Sequence, residues 1–273
     1  SLFQNTLIEN LSYNGNFTLT QKLGKKYFIL PEINASSSSD DMVRTQGIPY
    51  PSDAIVDSLS PNFNRTYEYI RPGITFKRST DRTQINLILK AEWFKTLNSL
   101  WDDQAISKTG FYLLPGMNLD WEYRTGHRIN LRYQSNVLQP TLNQLLPISD
   151  NNNSLSVFHG NRNLKPEFRN NVFAHWIIFD QFSFTSMFAN LNATYTKDKI
   201  NWARTIDDQF GQTATLINVD DDYSVRGGVD FSTPIRKLGI KLNLGISETW
   251  NRGINLVNDI VNVNTNMGHK VSM

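Results

Sequence analysis

A long polar loop between two segments of alternating side chains is the feature that most restricts the folds open to this chain. Residues 128–134 alternate apolar and polar side chains before the loop, and residues 168–179 resume as a second strand after it; this period of two is typical of a β-strand. The loop occupies residues 139–170 and is rich in asparagine. Loops of this length are uncommon inside compact domains, whereas they occur routinely on one side of a transmembrane β-barrel.

The connections in the rest of the chain alternate between short turns and longer loops, as such a barrel requires. Short turns are predicted at residues 79–82, 124–127, 180–181 and 234–239, and longer connections at residues 95–110, 139–170 and 197–211. The strands predicted between them are 83–94, 111–123, 128–134, 168–179, 183–196, 213–233, 240–250 and 264–273. The sequence therefore predicts an all-β fold, an antiparallel up-and-down meander of about ten strands that forms part of a large transmembrane β-barrel.

Each predicted strand has an apolar face and a polar face. The lipid-facing candidates are Ile85, Leu87, Leu89, Ala91, Trp93, Leu113, Pro115, Met117, Leu119, Trp121, Tyr123, Met187, Ala189, Leu191, Ala193, Tyr195, Ile240, Leu242, Leu244 and Ile246. The charges predicted to face the lumen are Lys90, Glu92, Asp120, Glu122, Arg132, Arg226, Asp230 and Lys241, so charges are expected on one side only.

Aromatic residues near the strand ends predict the interfacial girdles of a barrel. They are Trp93, Phe111, Trp121, Tyr123, Tyr133, Tyr195 and Trp202. A soluble antiparallel sheet with one hydrated face shows the same alternation. A soluble β-sheet binding module, or a surface structural protein without transport activity, is therefore the alternative.

Composition excludes several further classes of protein and of functional site. The 273 residues have a mean hydropathy of -0.41 and contain no run of about eighteen apolar residues, which excludes a helical membrane protein. The formal net charge of +2 and the lack of a basic stripe argue against a nucleic-acid partner. The chain has no cysteine, which excludes disulfides, thiolate catalysis and cysteine zinc sites.

Catalytic, metal and cofactor sites are not expected. The four histidines, His127, His159, His175 and His269, lack metal-ligand spacing, and no G-x-S-x-G motif marks a nucleophile. The acidic run 220–222 could hold Ca²⁺, but it lacks EF-hand spacing and a solvated loop is the favoured interpretation.

The long loop carries a series of turn-forming residues. They are Pro140, Gln144, Leu145, Pro147, Asp150 and Asn151, followed by Gly160, Asn161, Leu164, Pro166 and Glu167. Pro166 can begin a strand without donating to its ladder, and Gly160 and Asn161 can take positive φ at a sharp turn. This order resembles the signature of TonB-dependent receptor barrels in the branch called the outer membrane protein beta-barrel family. The run 195–200 is also similar to the strand-end pattern of that family.

The resemblance implies part of a barrel of about 22 strands in the bacterial outer membrane, closed by a plug domain. It implies energy-coupled uptake of a scarce nutrient of the siderophore, oligosaccharide or peptide class. The expected partners are outer-membrane lipid, the plug, TonB acting through the plug, a surface lipoprotein, and a small-molecule or oligomeric nutrient. Ser1 and Met273 bound a single expected domain, residues 1–273, with the plug and the C-terminal strands outside this chain.

Five residues are the candidates for ligand binding in the loops or lumen. They are Trp101, Tyr112, Phe158, Trp202 and Arg132, with Trp250 as a further aromatic candidate. Aromatic rings stack on sugars and anchor organic ligands, although girdle or loop packing explains the same residues.

Overall fold

The computed structural model describes residues 3–48, 54–101, 105–148 and 156–273, and these residues form one sheet of sixteen strands. The strands are β1 (Phe3–Thr18), β2 (Gln21–Lys22), β3 (Tyr27–Ile48), β4 (Ala54–Ile55), β5 (Asn62–Ser79), β6 (Thr83–Leu100), β7 (Ile106–Arg124), β8 (His127–Leu138), β9 (Ser156–His159), β10 (Glu167–Asp180), β11 (Thr185–Lys197), β12 (Lys199–Ile206), β13 (Gln212–Val219), β14 (Asp222–Ile235), β15 (Ile240–Val257) and β16 (Ile260–Ser272). One short helix, α1 (Leu142–Leu145), and two 3-10 turns, Asp57–Leu59 and Arg236–Leu238, complete the described elements.

The long strands form an antiparallel meander, which confirms the predicted fold class. Their order is β1-β3-β5-β6-β7-β8-β10-β11-β14-β15-β16, so each strand pairs with the next long strand along the chain. Two short parallel contacts depart from this pattern, where β12 meets β15 and β13 meets β9. The sheet is open in the described residues, because β1 and β16 form its two edges.

The register separates an outward apolar face from an inward polar face. Directly paired residues share a face, so Leu87 opposite Met117 and Leu131 opposite Ala174 continue one apolar surface from strand to strand. Many of the large apolar side chains on this surface are exposed, among them Leu89 and Leu113. A sheet that is apolar outside and polar inside is typical of a transmembrane barrel wall.

The charges do not all lie on the inward face, contrary to the prediction. Glu248 on β15 and His269 on β16 are direct neighbours on the outward face and form an ion pair if the imidazole is protonated. Glu248 pairs with Gly227, and the next pair on the same face is Val229 with Ile246, which points outward. Glu248 therefore points outward as well.

Three predicted boundaries are wrong, and the strands are longer than the alternation suggested. The expected loop at 95–110 is mostly strand, because β6 continues to Leu100 and β7 already begins at Ile106. The expected single strand 213–233 is two strands, β13 and β14, broken where Asp221 takes a φ of 65°. The expected connection 197–211 contains β12, which pairs with β13 as a hairpin.

Aromatic side chains lie at both levels of the outward face, as predicted for the girdles. Trp93 and Phe111 contact each other with ring centroids 4.9 Å apart at the level nearer the long loops. At the turn end, the indole of Trp176 donates to the hydroxyl of Tyr123 over 3.0 Å. Trp202 does not belong to a girdle, because it lies on β12 in the loop region.

The buried apolar core lies inside the sheet at its loop end. We call the described parts of the long loop, 139–148 and 156–166, together with β12 and β13, the cap. The core joins cap residues to the upper ends of three wall strands: Leu142, Leu145, Leu146, Ile148, Leu164, Ile200 and Leu216 pack with Met42, Phe63 and Leu100. The expected external loop is therefore a folded unit that packs against the inner face of the wall.

No helix in the described residues is long and apolar enough to cross a bilayer.

Candidate functional site

Ion pairs link neighbouring strands across the inward face of the wall. Lys90 Nζ lies 2.8 Å from Glu32 Oε1, and Gly73 lies between their strands. A Cβ atom at Gly73 would lie 2.9 Å from Lys90 Cγ and 3.2 Å from Glu32 Cγ, so glycine leaves room for this pair. Nearer the turns, Arg128 pairs with Asp120 in a more exposed position.

Glu92 is the most deeply buried charge of this face, with 0% of its surface exposed. Its Oε2 accepts from Nε and Nη2 of Arg71 at 2.8 and 2.5 Å, and its Oε1 accepts from the hydroxyl of Tyr67 at 2.9 Å. Two-pronged pairing of this kind offsets the cost of burying a carboxylate. Burial, reinforced by the neighbouring Glu92, raises the pKa of Tyr67 far above its ordinary value, so its hydroxyl stays a donor.

The loop motif residues hold the cap together. The backbone N–H of Thr141 donates to Gln144 Oε1 over 2.8 Å as part of a capping box on α1. The backbone N–H of Asn161 donates to the carbonyl of Gln144 over 2.7 Å, and its side-chain amide donates to the carbonyl of Leu216 over 2.8 Å. Asn161 therefore ties the long loop to both α1 and β13.

Gly160 has a different role from the one predicted. Neither Gly160 nor Asn161 is among the residues with positive φ, so a left-handed turn does not explain them. A Cβ atom at Gly160 would lie 2.2 Å from the carbonyl oxygen of Leu146. Glycine is needed here because two backbone segments of the cap approach each other closely.

Glu167, at the start of β10, anchors the hairpin of the cap. Its Oε1 accepts from the backbone N–H of Ile200 over 2.9 Å and lies 3.2 Å from Lys199 Nζ, while Arg169 lies 3.4 Å from its Oε2. The motif positions Asp150 and Asn151 lie outside the described residues.

A cavity of about 520 Å³ lies between the cap and the inner face of β5, β6 and β7; we call it the chamber. Its wall side includes Tyr67, Phe94 and Tyr112, and its cap side includes Leu145 and Leu164. Phe94, Tyr112 and Phe168 form a stack, with centroid separations of 5.8 and 5.7 Å and interplanar angles of 13° and 7°. The chamber therefore presents flat aromatic surface below a folded loop.

Two cationic side chains tie the cap to the wall beside the chamber. Arg65 pairs with Asp40 and also donates to the carbonyl of Pro140. Lys108 Nζ donates to the carbonyls of Arg162 and Leu164 over 2.6 and 3.2 Å. Burial, with a smaller contribution from Arg162, lowers the pKa of Lys108.

The structure does not bring the five predicted site residues into one site. Tyr112 lines the chamber, whereas Arg132 lines a separate cavity of about 340 Å³ lower on the wall. Phe158 and Trp202 meet edge to face in the cap, 5.4 Å apart. Trp101 is exposed at the end of β6, where its indole donates to the carbonyl of Ser60 over 3.3 Å.

Sequence reasoning missed four polar residues on the wall side of the chamber, namely Arg65, Thr96, Asn98 and Lys108. Thr96, Asn98 and Lys108 fall in the segment predicted as a loop, and residues in a loop were not assigned a face. Apolar and polar side chains no longer alternate in this segment, since Lys95 and Thr96 are both polar and so are Asn98 and Ser99, and no periodic signal identifies the chamber residues.

Within the described ranges, no three His, Asp or Glu side chains are grouped closely enough to hold a metal ion.

Comparison with known proteins identifies relatives of this sheet. The sequence profile of the outer membrane protein beta-barrel family matches residues 73–271. Two solved structures superpose on most of the chain: the hemophore receptor HasR of Serratia marcescens, solved as a double mutant with its hemophore HasA and heme, and the copper transporter OprC. Comparison with curated proteins gave no match.

The structural similarity is in the fold, since sequence identity is only 11% to HasR and 10% to OprC. The TM-score is 0.62 in both cases, over 92% and 91% of this chain but only 43% and 38% of the respective relatives. The chain thus spans less than half the length of either structure. Together with the outward apolar face, these matches locate the protein in the bacterial outer membrane. The motif-based prediction is confirmed: the chain belongs to the outer membrane protein beta-barrel family.

Proposed function

We propose that this chain forms wall and external cap of a TonB-dependent receptor that takes up a scarce nutrient across the outer membrane. The observation that carries the proposal is the chamber, a partly aromatic cavity inside the sheet beneath a folded loop. A cavity of this size falls within the range of about 300–1,000 Å³ found for small-molecule sites. The nutrient is a siderophore, an oligosaccharide or a peptide.

Energy coupling is part of the proposal, because a barrel of about 22 strands encloses a lumen wide enough to need a plug. The inward face offers hydrogen-bonding groups to such a plug, including the exposed Arg128–Asp120 pair and Arg226, which lies 3.3 Å from Thr249 Oγ1. Charges of both signs line this face, which suits a polar plug surface better than an apolar one. TonB would act through the plug, and a surface lipoprotein would contact the cap.

The soluble alternative is disfavoured by the outward face. Leu87, Leu113 and Trp121 belong to one contiguous apolar surface that, in water, would far exceed the exposed patches of soluble monomers. Lipid is the environment that such a surface fits.

Uptake by cells tests the proposal. A strain that produces the complete protein and a matched strain that lacks it are given a mixture of ferric siderophores, oligosaccharides and peptides, and depletion of each compound is followed by mass spectrometry. We expect one class to be depleted faster by the producing strain, and we expect deletion of tonB to abolish the difference. Equal depletion of every compound would refute uptake, and depletion that survives loss of TonB would refute energy coupling.

A further inference from the structure

Three buried polar atoms of chamber-lining residues lack hydrogen-bond partners among the described residues, and one of them is Nε2 of Gln139 on the cap. The other two are Oγ1 of Thr96 and Oδ1 of Asn98, whose residues are 6% and 3% exposed. Both side chains line the chamber from β6. Leaving such an atom unpaired costs about 1–3 kcal/mol, so a ligand that supplied partners would recover that free energy.

The surfaces around these atoms favour a flat, apolar ligand. Tyr67, Phe94 and Tyr112 form the aromatic side of the chamber, and Leu145 and Leu164 form the opposite side. Rings stack on such surfaces in offset or edge-to-face geometry. The chamber thus combines apolar walls with a few fixed polar groups, the usual composition of a small-molecule site.

The charges around the chamber favour an anion. Arg65 is neutralised by Asp40. Lys108 and Lys165 also line the chamber, and within the described residues neither ammonium group has a carboxylate within 4.0 Å. The lowered pKa of Lys108 agrees with a buried cation that lacks a counter-charge.

We propose that the chamber binds a planar aromatic group of the nutrient, one that carries a single anionic substituent. The ring stacks against Tyr112 and its neighbours, Thr96 and Asn98 hydrogen-bond its polar substituents, and the anion lies towards Lys108. The inference rests on the proposed function, because it names the chemical group by which the receptor recognises its nutrient; binding itself is measured without transport.

Calorimetry on the detergent-purified complete protein tests this, with 2-naphthoate, neutral 2-naphthamide and cationic 2-naphthylmethylamine as probes. We expect 2-naphthoate to bind at least tenfold more tightly than the amide, and the amine to bind weakest. Asn98→Leu and Lys108→Met should each weaken naphthoate binding at least tenfold, and Lys108→Arg should largely restore it. The matched controls Asn190→Leu and Lys241→Met, on the inner face outside the chamber, should leave binding unchanged.

Binding of 2-naphthoate that is unaffected by Asn98→Leu, or no binding at all, would overturn the proposal. Equal affinity for the three probes would overturn the assignment of an anionic ligand. Lys108→Met also removes two hydrogen bonds to the cap, whereas Asn98→Leu removes none. If Lys108→Met does not fold, Asn98→Leu is therefore the decisive variant. The uptake experiment separates the two proposals. Binding in the chamber without any TonB-dependent uptake would refute only the receptor function. TonB-dependent uptake that Asn98→Leu leaves unchanged would refute only the chamber's role in that uptake.

Discussion

The spanning wall and the cap bury apolar side chains in opposite directions. In the wall, Leu89 and its neighbours point outward and are exposed on the isolated chain. In the cap, Leu145 and Leu164 point inward and pack with Met42 and Phe63 in a conventional core. The two regions differ because their surroundings differ. The outward face of the wall contacts lipid, whereas the cap lies in water above the membrane and must bury its apolar side chains in a core of its own.

We expect the largest loss of stability when a phenylalanine of the cap core is truncated, and a phenylalanine of the lipid-facing surface on the same strand provides the comparison. Phe63 and Phe76 both lie on β5, but Phe63 is 0% exposed beneath the cap and Phe76 is 40% exposed on the outward face. We expect Phe63→Ala to lower the free energy of unfolding by about 3–5 kcal/mol, since it leaves a cavity in a packed core. Phe76→Ala should cost roughly 1–2 kcal/mol, because lipid closes around the smaller side chain.

Urea unfolding in lipid vesicles, followed by tryptophan fluorescence, measures both values. Equal losses for Phe63→Ala and Phe76→Ala would show that the cap core is no better packed than the lipid contact.

A charged substitution on adjacent residues of β6 tests the two faces of the wall. Leu89 points outward, whereas Ile88, opposite Gly116, points inward. Leu89→Arg should cost about 2–4 kcal/mol near the middle of the bilayer, and Ile88→Arg, which faces the lumen, much less. The same urea titration measures the difference, and a larger loss for Ile88→Arg would reverse our assignment of the faces.

A smaller effect is expected from an added methyl group in the cap. Gly160→Ala would place Cβ 2.2 Å from the Leu146 carbonyl, so the two loop segments must separate, at a cost of about 1–3 kcal/mol. Gly15→Ala on β1 is the matched control, because no atom lies within 4 Å of its added Cβ. Limited proteolysis should show faster cleavage of the long loop in Gly160→Ala only; unchanged cleavage would contradict the close approach.

The smallest expected effect is a change in how folding stability depends on pH. It concerns the short turn after β10, on the side of the wall away from the cap. Asp180 accepts from the Ser183 hydroxyl over 2.7 Å and from the backbone N–H of Phe182 over 3.0 Å, and these hydrogen bonds lower the pKa of its carboxyl. The lowered pKa gives stability that is present above the ordinary value of about 3.9 and is lost as pH falls through the folded-state value. Ser183→Ala should weaken this dependence.

The urea midpoints of wild type and Ser183→Ala should therefore differ slightly at neutral pH and converge in acid. A difference that stays constant down to low pH would assign the effect of Ser183 to packing rather than to the carboxylate.

Sequence alone predicted the wall because lipid imposes a strict alternation on its outward face. The alternation fades above the membrane, where both faces of a strand meet water or loops; Thr96 and Asn98 are polar although their backbone still pairs with β7. The segment 95–110 was therefore predicted as a loop. The β12–β13 hairpin was missed because it is short and its apolar residues, such as Ile200 and Leu216, pack against a distant loop.

The candidate site was harder to predict than the fold. Tyr112, a predicted ligand-binding residue, lines the chamber, but Arg65 and Lys108, which line it as well, come from β5 and from the upper end of β7, neither of which was predicted as strand. The loop motif indicated the family, while the contacts that explain it, such as Asn161 with Leu216, join residues far apart in sequence. Such long-range packing leaves no periodic signal.

The length of β3 carries its loop end well beyond the membrane. Its 22 residues extend roughly 70 Å at about 3.3 Å per residue, far more than an apolar band of about 25 Å occupies even in a tilted strand. β5 pairs with β3 and carries Arg65 and Tyr67 of the chamber near its loop end, so we expect the chamber to lie in the aqueous phase above the outer leaflet, where mobile ions screen charges over about 8 Å at physiological ionic strength. Attraction of an anion to its entrance should consequently weaken as salt rises, whereas the stacking of a ring inside should not.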